Sequence, residues 1–290
     1  MTESRSEAES QVRVAPALDG RHCLWPQWRV SSRVRAFVTT RAGGVSAAPY
    51  DGGAPGAGGL NLGLSTGDAP DCVHENRRRA LALTGVRDAA WLEQVHGTQV
   101  EDAHAVIDAR ARENAANPVR ADASVTDRAG VVCVVMTADC LPVLFCDDEG
   151  RAVGAAHAGW RGLAGGIVEK TGARVAAMAG SPASTLSAYL GPAIGPSAFE
   201  VGEDVLDAFV AACDVRRRDA TAAAFVATGT SGKYLADIYA LARLRLADIG
   251  LDAARIHGGT HCTVTEKERF YSYRRDRVTG RMAAMIWLAD

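Results

Sequence analysis

Residues 137–161, TADCLPVLFCDDEGRAVGAAHAGWR, carry the pattern on which the fold turns. Pro142 to Phe145 and Ala152 to Ala156 are short apolar runs of strand length, and Asp147-Asp148-Glu149-Gly150 between them is a turn signal. Two such runs joined by a tight connection predict a β-hairpin whose outer ends lie close in space. Those ends carry Cys140 and His157, a soft sulfur and an imidazole nitrogen on rigid strands. Such a pair can bind a borderline metal such as zinc, or act as nucleophile and base.

Working outward, Gly159-Trp160-Arg161-Gly162 turns the chain from the second run into a helix expected from about Leu163 to Met178. A strand end that passes through glycine into a helix start presents unpaired amides suited to a phosphate or carboxylate, and Arg161 adds a fixed charge there. On the other side, Asp122 to Thr126 and Val131 to Met136 read as two more strands, turned by Asp127-Arg128-Ala129-Gly130. Ala89 to Val100 is a strand candidate that reaches a turn at His96-Gly97, and the polar residues 108–118 are helix or loop.

Nearer the start, Val34 to Thr40 alternates as a strand does and runs into Arg41-Ala42-Gly43-Gly44. The glycine pair would let its amides and Arg41 converge on an anion, although a plain turn beside a solvated arginine explains it as well. Residues 47–59, AAPYDGGAPGAGG, cannot hold regular structure and predict a flexible loop or lid ending at Leu60-Asn61-Leu62-Gly63. Asp68 reads as the N-cap of a helix that holds Pro70 and Asp71 in its first turn and ends near Gly85, with Arg77, Arg78 and Arg79 on a solvated face.

Towards the end, Leu186 to Leu190 and Met282 to Leu288 are strands, and Glu203 to Cys213 is a helix. Lys233 to Ile249 carries an apolar stripe at helical spacing and stops at Gly250. His257 to Cys262 is expected as a loop, since Gly258-Gly259 disfavours a helix, and the terminal SYRRD as a surface ion-pair cluster. No repeat or linker divides the chain. The expectation is a disordered leader over residues 1–20 and one interleaved α+β domain over 21–290.

Composition bounds the function. With 290 residues the chain can bury about 75% of its unfolded surface. A net charge of -2 gives no global field to recruit nucleic acid or anionic lipid. No apolar run reaches the roughly 18 residues of a membrane span, and the opening residues lack a signal-peptide core. Seven cysteines, mostly within apolar runs, fit reduced thiols and a cytoplasmic setting.

Three chemistries compete for Cys140 and His157. With one further ligand they form a three-ligand zinc site with an open fourth position, as catalytic zinc requires. His96 is the preferred third ligand, because it stands at a strand end, while His22, His74 and His104 occur in leader, helix or polar contexts. His257, His261 and Cys262 are the competitors. Alternatively Cys140 is a nucleophile, His157 its base and Asp139 or Asp122 the orienting carboxylate, and the residues alone leave both uses open. A multicopper oxidase needs several more imidazoles for its three-copper cluster than seven histidines without a His-X-His pair supply.

The blocks TTRAGGVS, LNLGLSTGD, LEQVHGTQV, ADASVTD, TADCLPVLFCD, AAHAGWRGLAGGI, LGPAIGPSAFEVG and RFYSYRRDRVTGRMAAMIWL occur in order from residue 34 to 288. Together they resemble the bacterial laccase-domain family, also named multicopper polyphenol oxidase, purine nucleoside phosphorylase and peptidoglycan editing factor. The resemblance implies a layered fold of mixed sheets flanked by helices, of α/β/β/α type. It implies a Zn2+ site on His96, Cys140 and His157, and action on purine nucleosides and phosphate, by phosphorolysis of adenosine, inosine, guanosine and methylthioadenosine and by deamination of adenosine. Asp139 and Cys140 are then the expected catalytic residues, Asp139 as proton carrier. Arg41, Gly43, Gly44, Asn61 and Arg161 are expected around the substrate, in a monomer or weak homodimer. The alternative is a cysteine hydrolase or a non-catalytic factor in peptidoglycan precursor editing. The glycine-rich stretch 52–59 and the longer leader depart from the family pattern.

Overall fold

The computed structural model describes residues 18–54, 56–112 and 118–290. The predicted hairpin forms the centre of it. Strands Leu141–Asp147 and Val153–Ala158 pair antiparallel with Leu141 opposite Ala158 and Pro142 opposite His157. Their turn is closed by Asp147, whose buried carboxylate accepts from the Arg151 and Ala152 amides and from Arg151 Nε. Burial pushes that carboxyl up, but the Arg151 and amide hydrogen bonds outweigh it and hold it below the usual range.

Around the hairpin a six-stranded sheet runs in the order Ile256–Gly258, Leu186–Leu190, Leu141–Asp147, Val153–Ala158, Ala123–Thr126, Val100–Asp102. A five-stranded sheet lies against it, ordered Cys23–Leu24, Val34–Thr39, Met282–Leu288, Val132–Thr137, Ala89–Ala90. The last strand of the chain is thus the centre of this sheet, antiparallel to both neighbours. A small three-stranded antiparallel sheet holds Glu200–Gly202, Lys233–Ala236 and Phe225–Ala227.

Period-2 alternation along the buried strands builds the layers. Leu144 and Cys146 of the hairpin meet Val38, Val135 and Ile286 between the two large sheets. The alternate residues Leu141, Val143 and Phe145 pack outward on Ile167, Val175 and Leu246 of the helices Ile167–Ala179 and Ile238–Asp248. On the far side, Phe37, Val134 and Met285 of the five-stranded sheet pack with Ala80 of helix Pro70–Ala82 and with Leu60 and Leu62. The result is helix, sheet, sheet, helix, the expected mixed α+β architecture.

Several boundaries differ from the sequence expectation, each for a local reason. Ala89 to Val100 is not one strand: Ala89–Ala90 belongs to the five-stranded sheet and Val100–Asp102 to the six-stranded one, and the residues between cross from one to the other. Leu163 to Met178 is two helices, Trp160–Ala164 and Ile167–Ala179, broken at Gly166 with φ of 92°. Lys233 to Ile249 divides at Asp237, whose carboxylate caps helix Ile238–Asp248 by accepting from the Tyr239 and Ala240 amides, while Lys233–Ala236 joins the small sheet.

Helix Pro70–Ala82 is capped at Ala69, not Asp68, and its arginines do not share a solvated face. Arg78 pairs with Glu75 at the surface, Arg79 is buried against Glu75, and Arg77 lies over the Trp91 ring at 4.0 Å. Of the leader expected over 1–20, residues 1–17 lie outside the described residues. Leu18 is buried and Asp19 caps the turn Gly20–His22, so Leu18 to Gly20 belong to the folded body. Among the described residues, no helix is long and apolar enough to cross a membrane.

Candidate metal centre and active site

Two crossings between the large sheets build the site. The chain leaves Ala89–Ala90 and enters Val100–Asp102, passing His96 on the way. It leaves Val132–Thr137 and enters Leu141–Asp147 through Ala138-Asp139-Cys140. Both bends need sharp backbone turns: His96 has φ of 59° and Asp139 of 91°, in the left-handed region that side-chain-bearing residues seldom adopt. His157 completes the set from the end of strand Val153–Ala158.

The three side chains converge. His96, Cys140 and His157 place their ligand atoms within 4.8 Å of one another. Cys140 Sγ lies 3.8 Å from His96 Nε2. Sulfur and nitrogen sharing a tetrahedral zinc would be about 3.5 Å apart. The two imidazole rings meet edge to face, with centroids 4.8 Å apart and planes at 79°.

Asp122, fully buried, organises two of these three residues. Its Oδ1 accepts from His157 Nδ1 at 2.8 Å and from the His96 amide at 2.9 Å. Its Oδ2 accepts from the amides of Gly97 at 2.6 Å and Val95 at 3.2 Å. A carboxylate cannot donate, so Nδ1 of His157 carries the proton and Nε2 keeps its lone pair for a metal. Burial pushes the Asp122 carboxyl up, but the His157 and Gly97 hydrogen bonds prevail and hold it below its ordinary value. Gln94 fixes the same segment to the neighbouring strand, donating to the Met136 carbonyl and accepting from the Met136 amide.

Burial likewise pushes the Cys140 thiol up, and the charges and hydrogen bonds of His157 and His96 overcome it, bringing it down to about 6. Burial draws His157 down while Cys140 and Asp122 raise it to about 9. The metal-free site is thus a thiolate beside an imidazolium, and a metal bound there would take the place of the proton on His157 Nε2.

Gly159, lacking a side chain, leaves space beside the three ligand atoms. A Cβ there would stand 2.8 Å from His96 Cδ2, 3.1 Å from Cys140 Sγ and 3.6 Å from His157 Cε1, between all three ligands. The borderline donor set and this glycine-cleared gap both fit zinc. Gly159→Ala is therefore expected to lower zinc affinity by at least about 10-fold, at the lower end of what disturbed ligand placement costs. Competition with a chromogenic chelator measures it, and unchanged affinity would show that the gap is not the ion's place.

The triad opens into a cavity of about 500 Å3, whose wall also contains Gln94, Met136, Tyr273 and Arg281. A smaller cavity of about 200 Å3 shares Cys140 and Tyr273 with it and is lined as well by Trp160, Phe199 and Asp139. Asp139 is buried there, its Oδ1 accepting from Thr263 Oγ1 and its Oδ2 from the Arg274 amide, both at 2.6 Å.

The residues expected to hold substrate are placed differently from one another. Gly43 and Gly44 both donate their amides to the Gly58 carbonyl, so those amides are spent inside the loop instead of facing an anion. Arg41 donates to the carbonyls of Asp51 and Lys267, pairs with the Asp51 carboxylate and lies over Tyr271, which ties the 47–59 loop to the body. Asn61 is buried and also internal, donating to Thr66 Oγ1 and to Asp68 and accepting from the Gly63 and Arg281 amides. Arg161 is exposed, over the Trp160 ring at 4.2 Å, beside the smaller cavity that Trp160 lines.

Arg281 is the cation that sequence reasoning missed. Burial draws its guanidinium down, while the nearby charges of Cys140 and Asp139 draw it up. Its amide donates to Asn61 and its Nη1 to the carbonyls of Thr279 and Gly280, which fix it at the mouth of the last strand. No local pattern marks it, because the cavity it enters is made by residues far away in sequence.

Residues 35–289 match the family model described as multi-copper polyphenol oxidoreductase laccase. The chain belongs to this laccase family. A purine nucleoside phosphorylase of Pseudomonas aeruginosa is 49% identical over 267 residues, which are 92% of this chain and 98% of that one. The Escherichia coli purine nucleoside phosphorylase YfiH is 51% identical over 265 residues, covering 91% and 97%. Among solved structures, a Neisseria meningitidis protein superposes with a TM-score of 0.79 at 47% identity, covering 93% of this chain and all (100%) of that one. YlmD of Geobacillus stearothermophilus gives 0.80 at 30% identity, covering 95% and 100%.

The laccase name implies a three-copper cluster, which needs several imidazoles beyond a two-histidine, one-cysteine centre. Here two of the other histidines are placed apart from the triad: His257 stacks edge-on to Trp28, and His261 bonds Glu266. Among the described residues, the triad is the group of three or more side chains spaced to hold a metal.

Proposed function

We propose that the chain is a zinc-dependent purine nucleoside phosphorylase that also deaminates adenosine. The observation that carries this reading is the convergence of His96, Cys140 and His157 on a cavity of about 500 Å3, large enough for a nucleoside. Relatives near 50% identity that bear the phosphorylase name supply the substrate class. A zinc ion held by the triad supplies Lewis-acid stabilisation of charge developing on the substrate.

The chain's own residues do the rest. Arg281 holds a phosphate dianion in the cavity and orients it toward the ribose. Phosphate oxygen bonds to C1′ as the C1′–N9 bond breaks, and the electron pair leaves with the base, which takes up the proton that the hydrogen phosphate dianion gives up. Trp160, Phe199 and Tyr273 offer flat apolar surface to that base in the smaller cavity. Asp139, held by Thr263 and Arg274, keeps lone pairs free to accept from a purine N–H. Its two existing hydrogen bonds hold it as a fixed acceptor. The free thiols of Cys23, Cys133 and Cys146, all buried, support a reducing, cytoplasmic setting.

The zinc-loaded protein with adenosine and phosphate is expected to release adenine and ribose 1-phosphate, and without phosphate to form inosine. Arg281→Met should raise the phosphate KM by about 10-fold or more, the usual loss for one charge-assisted contact of ~1.5–3 kcal/mol. Chromatography of the products decides it. No nucleoside turnover by metal-loaded protein, or an unaltered phosphate KM in Arg281→Met, would remove the respective part of the reading.

A further inference from the structure

Beside the triad cavity lies another of about 450 Å3, and the two share Ser65, Leu92, Glu93 and Met136 in their walls. Phosphorolysis as described makes no use of it. Its lining divides by chemistry: Trp91, Val106 and Val119 are apolar, while His74, Arg77 and Arg110 are cationic or can become so. The two arginines come from different helices, Pro70–Ala82 and Ala103–Arg112.

Arg77 is not a wandering surface arginine. Its Nε donates to the Leu62 carbonyl at 2.9 Å, its Nη2 meets the Met136 sulfur at 3.6 Å, and its plane lies over Trp91 at 4.0 Å. Among the described residues, none of these partners is a carboxylate. Burial first, and then the charge of Arg110, draw Arg77 down to about 10. The carboxylate in the shared wall, Glu93, is half-exposed and lies 3.7 Å from Arg120. Arg77 loses hydration in this partly apolar cavity and is repelled by the exposed Arg110, a cost that an anion between them would reverse.

We propose that this cavity is an anion subsite for the substrate, and that the preferred ligand is a purine nucleotide whose phosphate monoester reaches Arg77 and Arg110 from a nucleoside at the triad. The inference rests on the nucleoside reading of that triad. The two cavities lie side by side, with Ser65, Leu92, Glu93 and Met136 lining both, so an extended ligand seated in one reaches the other past these four side chains. A phosphate monoester fits better than a carboxylate, since planar guanidinium forks bind its several oxygens at once and a dianion balances two cations. The apolar side accepts the carbon of the sugar.

Calorimetric titration of the zinc-loaded full chain tests this with adenosine, adenosine 5′-monophosphate, adenosine 3′-monophosphate and inorganic phosphate. One monophosphate is expected to bind at least about 10-fold more tightly than adenosine, the gain of about 1.4 kcal/mol that a charge-assisted contact supplies. The two arms show which ribose hydroxyl carries the phosphate. In Arg110→Gln the ratio of nucleotide to nucleoside affinity should fall several-fold towards one, and Arg77→Met should remove it. Arg110 is exposed, so its variant keeps the test valid if Arg77→Met fails to fold. The inference fails if neither monophosphate gains over adenosine, if the ratio survives Arg110→Gln, or if that variant weakens only inorganic phosphate. Absence of adenosine binding altogether would instead defeat the nucleoside reading, and this inference with it.

Discussion

Cys140→Ala is expected to reduce bound zinc from stoichiometric to undetectable and to lower phosphorolysis by about 10³-fold. The loss corresponds to about 4 kcal/mol of transition-state stabilisation, the several kcal/mol that a Lewis acid contributes. Two imidazoles remain in the variant, but the thiolate is the anionic, soft member of the set, and without it a neutral pair holds the ion weakly. Metal analysis of purified wild type and variant, with product analysis on the same samples, reads both effects.

The same variant discriminates the competing chemistry. A thiol near 6 beside an imidazole near 9 is also what a cysteine hydrolase needs, and Asp122 behind His157 gives that dyad its orienting carboxylate. What favours the metal is His96. A nucleophile and base use one imidazole, whereas here a second approaches the sulfur to 3.8 Å on a backbone bent into the left-handed region to bring it there. A hydrolase would retain activity after chelation and would lose it on alkylation of Cys140. Activity of metal-free wild type at the full rate would end the zinc reading.

Asp122→Asn carries the second large expected effect, and its logic lies in counting donors. The carboxylate accepts four hydrogen bonds, two at each oxygen. An amide offers one oxygen and one donor group. If its oxygen serves His96 and His157, its NH2 faces the Val95 and Gly97 amides, and two part-buried donors lose their partner, at up to ~1–3 kcal/mol each. If it is turned the other way, NH2 faces Nδ1 of His157 and forces the proton to Nε2, the atom a metal would use. Either orientation harms the centre. Zinc affinity should drop by about 10- to 100-fold and the denaturation midpoint should fall with an unchanged slope. Wild-type affinity together with wild-type stability would show that Asp122 organises neither ligand.

How far the sequence went can be judged from such residues. The hairpin was legible because it is local: two apolar runs, a turn of Asp and Gly, and the reactive residues at its two ends. The strand Met282–Leu288 was legible for the same reason, its seven residues forming one apolar run. Its central place in the five-stranded sheet was not, since partners at Val34–Thr39 and Val132–Thr137 are far away in the chain. Lys233–Ala236 looked helical because the apolar spacing continues through it. The Asp237 cap and pairing with Glu200–Gly202 decided otherwise.

At the site the division is sharper. Donor chemistry and position at strand ends nominated His96, Cys140 and His157, and the ordered family blocks supported them. The expected anion cradle at Gly43-Gly44 rested on what free amides would do, and the Gly58 carbonyl, fourteen residues onward, had already taken both. Asp122 gave no sign of its four donors, since three lie on a crossing segment whose position depends on both large sheets. Arg281 and the paired arginines of the second cavity were equally hidden.

The sequence by itself determined the local elements, the donor types and the balance of charge, because these depend on near neighbours and on side-chain chemistry. Only the tertiary structure decided which amides remain free, which carboxylate orients the imidazole and which arginines share a cavity. Each of those is a contact between residues distant in the chain. Their partners are fixed by how two sheets pack, which no spacing along a single segment encodes.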